Sequence, residues 1–393
     1  MSQQPVAVLG VGMTDMSRRD MSTETLADQA VTEALSEAPV EASDLSLVVV
    51  GNALGGRLCD QGCIRGQSWL RKAGLGDVPV INVDNSCAGG SSALHVGVLA
   101  AVAAERPVLV LGVEKMWTGD RAATLAGIED GLSADWRADV HDRFEPAPGS
   151  SALMCLNAGW ADQLMAERGA TLRQIAAAAV KARRFGSLNP LAQCQEPITI
   201  DEVLAAPVVA GVLTRPMCSS FTDGAAAVVL GPVSNAPRGA PRIIGSVART
   251  GSGGLDYHDR LDETARAAFE SFGFGPDEVD VVELHDATAA EEIYALESLG
   301  FFAPGEAGPA TLAGDTDLGG RRVTVNPSGG LVGRGHPLGA TGVAQVVELV
   351  VQLRGKAGSR QVDGARLAVA VNTGGLINGD AAFVGVHALA AGS

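Results

Sequence analysis

The stretch that decides the fold reads INVDNSCAGGSSALHVGVLAAV and covers residues 81–102. It begins with strand-forming residues, turns on a cysteine and small residues, and continues as an apolar helix. A second stretch, VTVNPSGGLVGRGHPLGATGVAQVVELVVQL at 323–353, follows the same order about 240 residues later. Apolar strand-like runs come after both, VLVLGV at 108–113 and LAVAVN at 367–372. These matches indicate that one α/β unit is used twice.

Strand-like runs alternate with amphipathic helical stretches along the chain. Most of the runs are continuously apolar, which is typical of strands covered on both faces, so the pattern predicts an α/β fold with a mostly parallel sheet. The predicted strands are Pro5–Leu9, Leu47–Gly51, Val80–Val83, Val108–Gly112, Ala226–Leu230, Arg242–Val247, Val279–Glu283, Arg322–Val325, Leu367–Val371 and Ala381–Val386. The predicted helices include Thr23–Glu37, Ser92–Ala104, Asp262–Phe272, Ala290–Leu299 and Thr341–Arg354.

The length of 393 residues suggests two core-forming units or two halves of a larger fold. The connector GPVSNAPRGAPR at 231–242 is rich in Pro, Gly and Ala, so we predict an N-terminal half at 1–235 and a C-terminal half at 236–393. Residues from about 117 to 213 interrupt the repeat with polar stretches and helices of their own. We interpret them as an inserted loop domain that lies over one face.

The net charge of −16 excludes a protein that binds nucleic acid through its general field. An anionic ligand must be held by a local cluster instead. The N-terminus has no basic segment before an apolar core, and no apolar run reaches the roughly 18 residues of a membrane span, so we expect a cytoplasmic protein. The six cysteines are expected to be free thiols, and the spacing of Cys59 and Cys63 does not fit a zinc knuckle, so no metal site is predicted.

Cys87 follows a predicted strand and precedes a helix whose first turn is Ala-Gly-Gly-Ser. Glycine lets a ligand approach the backbone, and the helix N-terminus offers unpaired N–H groups and partial positive charge. Both features favour a thiolate, with a pKa below that of a free cysteine, and the same N–H groups can bind an oxyanion. This local pattern leaves two interpretations open, a nucleophile and a buried structural cysteine.

Two histidines lie where a nucleophile would need partners. His336 lies between Gly335 and Pro337, where neighbours pack poorly around a ring, and this placement suits a base for the thiol. His285 ends an apolar strand, and strand ends of α/β sheets hold ligands. The alternatives are a loop histidine that is hydrogen-bonded to backbone and, for Asp286 and Thr288, a simple helix cap.

Further candidates lie in three short segments. VNTGG at 371–375 is a strand followed by glycines, which either lines a site with N–H groups or forms a tight hairpin. The basic cluster KARR at 181–184 is the most plausible anion contact of this acidic chain, with a solvated helix face as the alternative. The candidate substrate or coenzyme A contacts are Arg183 and Arg184 from that cluster and Asn326 and Ser328 from the loop at 326–330.

Taken together, these motifs resemble the thiolase superfamily over nearly the whole chain. The chain is most similar to the sterol-carrier-protein type of thiolase and its bacterial relatives, through HDAT at 285–288, KARRFGSLNPLAQCQEPIT at 181–199 and CSSFTDGAAAVVLG at 218–231. The resemblance implies five layers, α-β-α-β-α, at least a homodimer, and coenzyme A or acyl-CoA as a substrate with no bound cofactor.

The resemblance also implies roles for the residues at matching positions. Cys87 resembles the nucleophile that becomes acylated, and His336 resembles its base. His285 resembles the residue of the first oxyanion hole, which polarises the thioester carbonyl of the second substrate. The backbone N–H groups of Cys87 and Gly374 resemble the second oxyanion hole. Coenzyme A would lie against the inserted domain near the basic cluster.

The chain departs from the family at its second thiol. Common thiolases carry a cysteine in a C-x-G loop where this chain has Asn372, and sterol-carrier-type enzymes carry one in HDCF where it has Ala287. An amide has no accessible pKa near neutrality, so Asn372 cannot be a general base. The α-carbon proton is then left to His336, His285, a water, or another group such as Asp286.

Three functions compete on this basis. The leading hypothesis is an acyltransferase that cleaves or forms a C–C bond in a bulky 3-oxoacyl-CoA through acyl-Cys87. The second is a retro-aldol lyase that acts on a side-chain acyl-CoA together with a small OB-fold, zinc-binding partner. The third is a non-catalytic subunit, and the intact Cys87 and His336 motifs argue against it.

Overall fold

The computed structural model describes residues 4–18, 20–144 and 150–392. Its strands are β1 Val6–Met13, β2 Leu47–Gly51, β3 Val80–Val83, β4 Val108–Glu114, β5 Val208–Ala210, β6 Leu213–Thr214, β7 Gly224–Pro232, β8 Arg242–Arg249, β9 Val281–Glu283, β10 Thr324–Val325, β11 Leu367–Ile377 and β12 Asp380–Ala390. Its helices are α1 Thr23–Glu37, α2 Gly55–Leu58, α3 Arg65–Trp69, α4 Gly89–Ala104, α5 Arg121–Glu129, α6 Ala134–Arg143, α7 Ala152–Arg168, α8 Leu172–Leu188, α9 Ile200–Ala205, α10 Tyr257–Phe272, α11 Ala289–Ser298, α12 Ala307–Ala313, α13 Gly330–Arg334 and α14 Leu338–Leu353.

The main sheet is built from two sets of five strands with the same internal order. The first set runs β3-β2-β4-β7-β1, and the second runs β10-β9-β11-β12-β8. The sets join through a short antiparallel contact between β1 and β8, where Val6 pairs with Ile243 and Ala7 with Arg242. The units β3–α4–β4 and β10–α14–β11 are the two stretches whose similarity is visible in the sequence.

The prediction of a mostly parallel sheet is wrong, because antiparallel pairs slightly outnumber parallel ones. Pairing is parallel in β2–β3, β2–β4, β9–β10 and β9–β11, and it is antiparallel in β1–β7, β1–β8, β4–β7, β8–β12 and β11–β12. A continuous apolar run shows that both faces of a strand are covered, and it carries no information on strand direction.

The layers follow from the alternation of side chains along β4. Val108 and Val110 belong to one buried cluster with α4 and α14, whereas Leu109 and Leu111 belong to another with α1 and α3. Since successive side chains of a strand point to opposite faces, this half-sheet is covered by α1 and α3 on one side and by α4 and α14 on the other.

The second half-sheet repeats this arrangement. Val281 and Ala368 face the α4–α14 layer, and Val282 and Val369 face the layer that contains α10 and α11. The molecule therefore has five layers, α-β-α-β-α, with α4 and α14 shared in the middle. Their N-terminal ends approach closely, because a Cβ at Gly90 would lie 2.7 Å from the Gly339 carbonyl oxygen.

Helix α4 departs from the expectation that no apolar run is long enough to span a membrane. Residues Ser86–Ala104 form one helical segment that is long and apolar enough to cross a bilayer by length and composition. About half of its apolar window, 56%, is buried inside the protein, because α4 lies in the central layer. Its apolar character is accounted for by packing between two half-sheets.

Helices α5–α9 and strands β5 and β6 make up most of the segment predicted as an insertion. Part of it shares a buried cluster with α10 and α11 of the second half. The predicted boundary at 235/236 lies between β7 and β8, outside both strands. The division into two halves with an inserted domain at about 117–213 remains a prediction.

Candidate active site

Cys87 lies in a single helical turn, Ser86–Ala88, immediately before α4. The turn begins with Ser86 at a φ of 52°. Strand β11 passes directly beside it, and a Cβ at Gly374 would overlap the Asn85 carbonyl oxygen and the Ala88 nitrogen. A glycine is therefore required at 374, so that the backbones of the Cys87 turn and of β11 can lie against each other.

The structure brings the predicted nucleophile and both predicted histidines together. A ligating atom of each of Cys87, His285 and His336 lies within 4.8 Å of one from each of the others. The centroids of the two imidazole rings are 5.2 Å apart. The carboxyl end of β9, the turn before α4 and the turn before α14 supply the three residues. Residues far apart in sequence thus meet where strand ends converge.

The tautomer of His336 follows from its hydrogen bonds. Its Nδ1 lies 2.7 Å from Thr341 Oγ1, and that hydroxyl donates to the Pro337 carbonyl at 2.9 Å. A hydroxyl has one proton to donate, so His336 Nδ1 must be the donor to Thr341. Burial lowers the pKa of His336 well below its ordinary value. The neutral ring therefore carries a lone pair on Nε2, as a base requires.

His285 is held by β11. Its Nδ1 is hydrogen-bonded to Thr373 Oγ1, and its Nε2 is buried without a hydrogen-bond partner among the described residues. Burial lowers the pKa of His285 to about 4, so the imidazole is neutral at pH 7. A neutral histidine with an unused nitrogen that faces a cavity can serve as a hydrogen-bond donor to a substrate.

The expected low pKa of Cys87 is corrected by the structure. Burial raises the pKa of this thiol to about 12, against a weaker lowering by the hydrogen bond from Ser86, and the nearby Glu114 raises it further. Desolvation of a thiolate in an enclosed site outweighs its position before a helix. The resting enzyme therefore holds a thiol beside a neutral base, and the thiolate must form as its proton moves to His336.

The three residues lie in a cavity of about 430 Å³. Apolar side chains from residues 117–213, among them Trp117, Leu125 and Met154, form much of its wall. Three exposed arginines also line it, Arg18, Arg121 and Arg215. The guanidinium of Arg18 lies 4.6 Å from the centroid of the Trp117 ring. An apolar cavity with cationic groups at its exposed edge suits a long ligand with an anionic end.

Ala287 and Gly374 also line the cavity, whereas six other predicted residues do not. Arg183 Nε donates to the Glu196 carbonyl oxygen, and Arg184 forms an ion pair with Asp317 at 2.5 Å. Direct contact of these two arginines with a ligand in this cavity is therefore not supported, because α8 directs both side chains to other partners.

Asn326 and Ser328 are buried in a polar network instead. Asn326 Oδ1 accepts from the Leu284 N–H at 2.7 Å, and Ser328 Oγ donates to Glu283 at 2.7 Å. Both residues are fully buried. They fix the turn that leads into α13, and the prediction of substrate contact by these side chains is corrected accordingly.

The two auxiliary candidates have different environments. Asp286 accepts from the N–H groups of Leu331 and Val332 at the start of α13, and it is 1% exposed, so it acts as a cap and not as a cavity acid. Asn372 is equally buried, and neither polar atom of its amide has a hydrogen-bond partner among the described residues. It does not line the cavity.

The thiol and the two imidazoles also have the spacing of metal ligands. The same three groups are accounted for by proton transfer and oxyanion binding.

Comparison with known proteins decides the family. The profile of "Thiolase, N-terminal domain" matches residues 6–199, and "Thiolase C-terminal domain-like" matches residues 257–385. An acetyl-CoA acetyltransferase of Methanothermobacter thermautotrophicus is 38% identical over 387 residues, which cover 94% of this chain and 96% of that protein. The chain belongs to the thiolase family. It is accordingly a thiolase-like acyl-CoA acyltransferase, as the sequence resemblance implies.

Other relatives place this thiolase within the sterol-carrier type. Sterol carrier protein 2 of Bos taurus is 33% identical, with 95% of this chain and 71% of that protein covered. Benzoylsuccinyl-CoA thiolase subunit BbsB of Thauera aromatica is 33% identical, with 95% of each chain covered.

Solved structures agree on the thiolase fold. The Ltp2-ChsH2(DUF35) aldolase superposes with a TM-score of 0.81 at 21% identity, over 100% of this chain and 99% of that one. Human mitochondrial 3-ketoacyl-CoA thiolase gives 0.72 at 17% identity over 100% of both.

Sequence reasoning missed several residues of this site. Glu114 is fully buried and accepts from the N–H groups of Ala53, Leu54 and Gly339, so it ties the end of β4 to the first turn of α14. It directly follows the apolar run of β4, and a carboxylate at a strand end was the available signal. Tyr257 and Glu291 also line the cavity, but no local motif distinguishes them.

Proposed function

We propose that this thiolase cleaves or forms a C–C bond in a 3-oxoacyl-CoA through an acyl-Cys87 intermediate. The observation that carries the proposal is the convergence of Cys87, His285 and His336 within 4.8 Å. The hydrogen bonds of His336 leave Nε2 as its base atom. A nucleophile, a base and a free imidazole nitrogen are the groups that acyl transfer needs.

In the cleavage direction, the Cys87 proton moves to His336 Nε2 and the sulfur bonds to the 3-oxo carbon. The N–H groups of Cys87 and Gly374 receive the developing oxyanion. The bond between the second and third carbons then breaks, and its electron pair becomes the enolate of the leaving acyl-CoA, whose oxygen is hydrogen-bonded by His285. The enolate takes the proton back from His336.

Coenzyme A completes the cycle. Its thiol gives a proton to His336 and attacks the acyl-Cys87 carbonyl, which restores the Cys87 thiol. Because His336 itself gives the proton to the α-carbon, this scheme needs no second thiol. The chain has none at the two positions where similar enzymes carry it, which are occupied by Ala287 and Asn372. Asp286 is not available for this step, because it caps α13.

The cavity supports a bulky acyl group and a contact with coenzyme A phosphates. Its wall is largely apolar, and its volume of about 430 Å³ exceeds the needs of an acetyl group. Arg18, Arg121 and Arg215 line the same cavity and replace Arg183 and Arg184 as proposed phosphate contacts. Guanidinium groups suit phosphates, since they donate two parallel hydrogen bonds.

The edge strand β3 supports a homodimer. Its outer side pairs with no strand in the described part of the chain, and Ile81 at its centre is 45% exposed. Leu99 on the adjoining α4 is 50% exposed. An apolar edge strand invites pairing with a second copy. We also propose a cytoplasmic location. One relative is named as a thiolase subunit, which supports an additional partner protein, and the sequence resemblance implies that this partner is a small OB-fold, zinc-binding protein.

A product assay separates the acyltransferase from the retro-aldol alternative. The protein would be incubated with acetoacetyl-CoA and with a bulkier 3-oxoacyl-CoA, with and without coenzyme A, and the products identified by mass spectrometry. We expect two thioesters over many turnovers only with added coenzyme A, at most one equivalent of the leaving acyl-CoA per enzyme without it, and loss of both in Cys87→Ala. A free aldehyde or ketone from a 3-hydroxyacyl-CoA, formed without coenzyme A and retained in Cys87→Ala, would establish the lyase instead.

A further inference from the structure

A buried hydrogen-bond chain lies behind His285, and the acyl-transfer scheme leaves its role unassigned. The Tyr257 hydroxyl lies 2.7 Å from Thr373 Oγ1, which is in turn hydrogen-bonded to His285 Nδ1. Tyr257 is 7% exposed and Thr373 is 2% exposed. The Tyr257 ring stacks on Trp160 with centroids 4.6 Å apart. Packing therefore holds these hydrogen-bonded side chains in one arrangement.

The direction of the protons follows from the chemistry of the three groups. Burial raises the pKa of Tyr257 above its ordinary value, so the phenol keeps its proton. A phenol is a better donor and a poorer acceptor than an aliphatic hydroxyl, so Tyr257 donates to Thr373. Thr373 then has one proton to donate, and its remaining partner among the described residues is His285 Nδ1.

The opposite direction leaves a group without a partner. If His285 carried its proton on Nδ1, Thr373 would accept from both neighbours, and its own proton would point at no acceptor in the described residues. A buried donor without an acceptor is costly. The arrangement that satisfies all three groups puts the His285 proton on Nε2, the atom that has no protein partner in the described part of the chain.

We propose that Thr373 and Tyr257 are positioning residues that fix His285 in the tautomer protonated at Nε2. His285 then meets the substrate as a ready hydrogen-bond donor, and no tautomer exchange precedes the reaction. The inference rests on the proposed function, because it assigns the donor of the first oxyanion hole. Neither residue needs to touch the reacting atoms for this role.

The test compares Thr373→Val, Thr373→Ser and Tyr257→Phe with the wild-type protein. Tyr294→Phe is the matched control, because Tyr294 stacks on His258 and does not line the cavity. Two-bond ¹H–¹⁵N spectra of histidine-labelled protein report the tautomer of His285, with its signals assigned through His285→Asn. The steady-state rate of C–C bond cleavage and the rate of Cys87 acylation from a simple acyl-CoA are measured in parallel.

We expect the Nε2–H tautomer in the wild type, in Thr373→Ser and in Tyr294→Phe. Thr373→Val should show a mixture of tautomers and a kcat for C–C bond cleavage lowered about tenfold, the equivalent of one net hydrogen bond. Tyr257→Phe should have a smaller effect, since Thr373 can still donate. Acylation from a simple acyl-CoA breaks no C–C bond, and it should change less than cleavage does.

An unchanged tautomer and an unchanged cleavage rate in Thr373→Val would overturn the proposal, as would an Nδ1–H tautomer in the wild type. Thr373→Ser shows whether a loss of rate in Thr373→Val comes from the missing hydroxyl or from misfolding, because serine restores the donor. Absence of acyl-Cys87 in the wild-type protein would instead refute the proposed function. The tautomer result would remain interpretable in that case.

Discussion

The chemistry at Cys87 depends on a balance between burial and local charge. The preceding turn places the thiol before α4, but burial raises its pKa to about 12. Its base is also neutral, since burial lowers the pKa of His336. A neutral thiol beside a neutral imidazole forms the ion pair when substrate arrives, in contrast to a cysteine that is ionised at rest.

Alkylation of Cys87 by iodoacetamide should reflect this state. The rate is expected to rise steadily from about pH 6 to about pH 10 without a plateau, because the thiolate fraction of a group with a pKa near 12 grows tenfold per pH unit below it. Peptide mapping by mass spectrometry measures the rate, with the exposed Cys63 of the same digest as a reference for the reagent. A plateau at or below pH 8 would show a thiolate at rest.

At the scale of secondary structure, the site depends on the contact between β11 and the turn before α4. In the sequence, the glycine pair after Thr373 is compatible either with the lining of a site or with a tight hairpin. Strand β11 in fact continues through these glycines to Ile377, and the chain reverses at Asn378–Gly379. Both turn residues have positive φ, as an Asn-Gly hairpin requires.

Gly374→Ala should disrupt the nucleophile turn. Its Cβ would overlap the Asn85 carbonyl oxygen and the Ala88 nitrogen, both backbone atoms, so β11 or the Cys87 turn must shift. A shift of this kind misplaces the Cys87 sulfur and the oxyanion N–H groups, and we expect cleavage activity to fall by about 100-fold or more. Gly62→Ala is the control, since nothing lies within 4 Å of a Cβ there. Equal activity of the two variants would show that the contact is not required.

A second buried network joins α4 to the second half-sheet. His387 Nε2 lies 2.7 Å from Ser91 Oγ, and its Nδ1 lies 2.9 Å from Ser246 Oγ, which is also bonded to His95. Burial lowers the pKa of His387 to about 3. The neutral ring thus belongs to the folded state, and protonation favours unfolding.

His387→Gln should change how stability depends on pH. A folded-state pKa below the unfolded value means that the contribution of His387 is present above about pH 6.5 and is lost as the pH falls through about 3, at up to about 1.4 kcal/mol per pH unit. The urea midpoint between pH 7 and pH 4 should therefore fall less steeply in His387→Gln than in the wild type. His141 is exposed, so His141→Gln is the control and should keep the wild-type slope. A wild-type slope in His387→Gln as well would contradict this account.

For the whole molecule, the sequence was informative where a pattern repeats and uninformative where contacts cross between layers. All ten predicted strands of the main sheet are present, and α1 matches its predicted bounds of Thr23–Glu37. The prediction ended β1 at Leu9, yet the strand continues to Met13, where it still pairs with β7. Gly10 and Gly12 interrupt the apolar run because they lie against the backbone of α1, where a side chain would not fit.

In the candidate site, too, local motifs were visible in the sequence and tertiary contacts were not. Cys87, His285 and His336 were visible because each lies in a local motif at a strand end. Arg183, Arg184, Asn326 and Ser328 were placed in the site through charge and sequence proximity, but their partners are Glu196, Asp317, Leu284 and Glu283. Side-chain direction depends on tertiary contacts that a single sequence does not reveal.

The proposed homodimer predicts the effect of a charge on the β3 edge. Ile81→Lys places a cation at the centre of the exposed strand, so we expect a molecule of twice the chain mass to become a monomer in light scattering after size exclusion. Leu312→Lys on α12 is the matched control, with 44% exposure of the native side chain. A monomeric wild type, or a dimer that survives Ile81→Lys, would place the interface elsewhere or remove it.

The central claim is that Cys87 carries the acyl group, and the mass of its peptide tests this directly. After brief incubation with a 3-oxoacyl-CoA and quenching in acid, the peptide that contains Cys87 should gain the mass of the acyl group. The adduct should disappear when coenzyme A is added, should be absent in Cys87→Ala, and should form far more slowly in His336→Gln. Turnover of the substrate without any acyl mass on Cys87, or turnover that survives Cys87→Ala, would contradict the account.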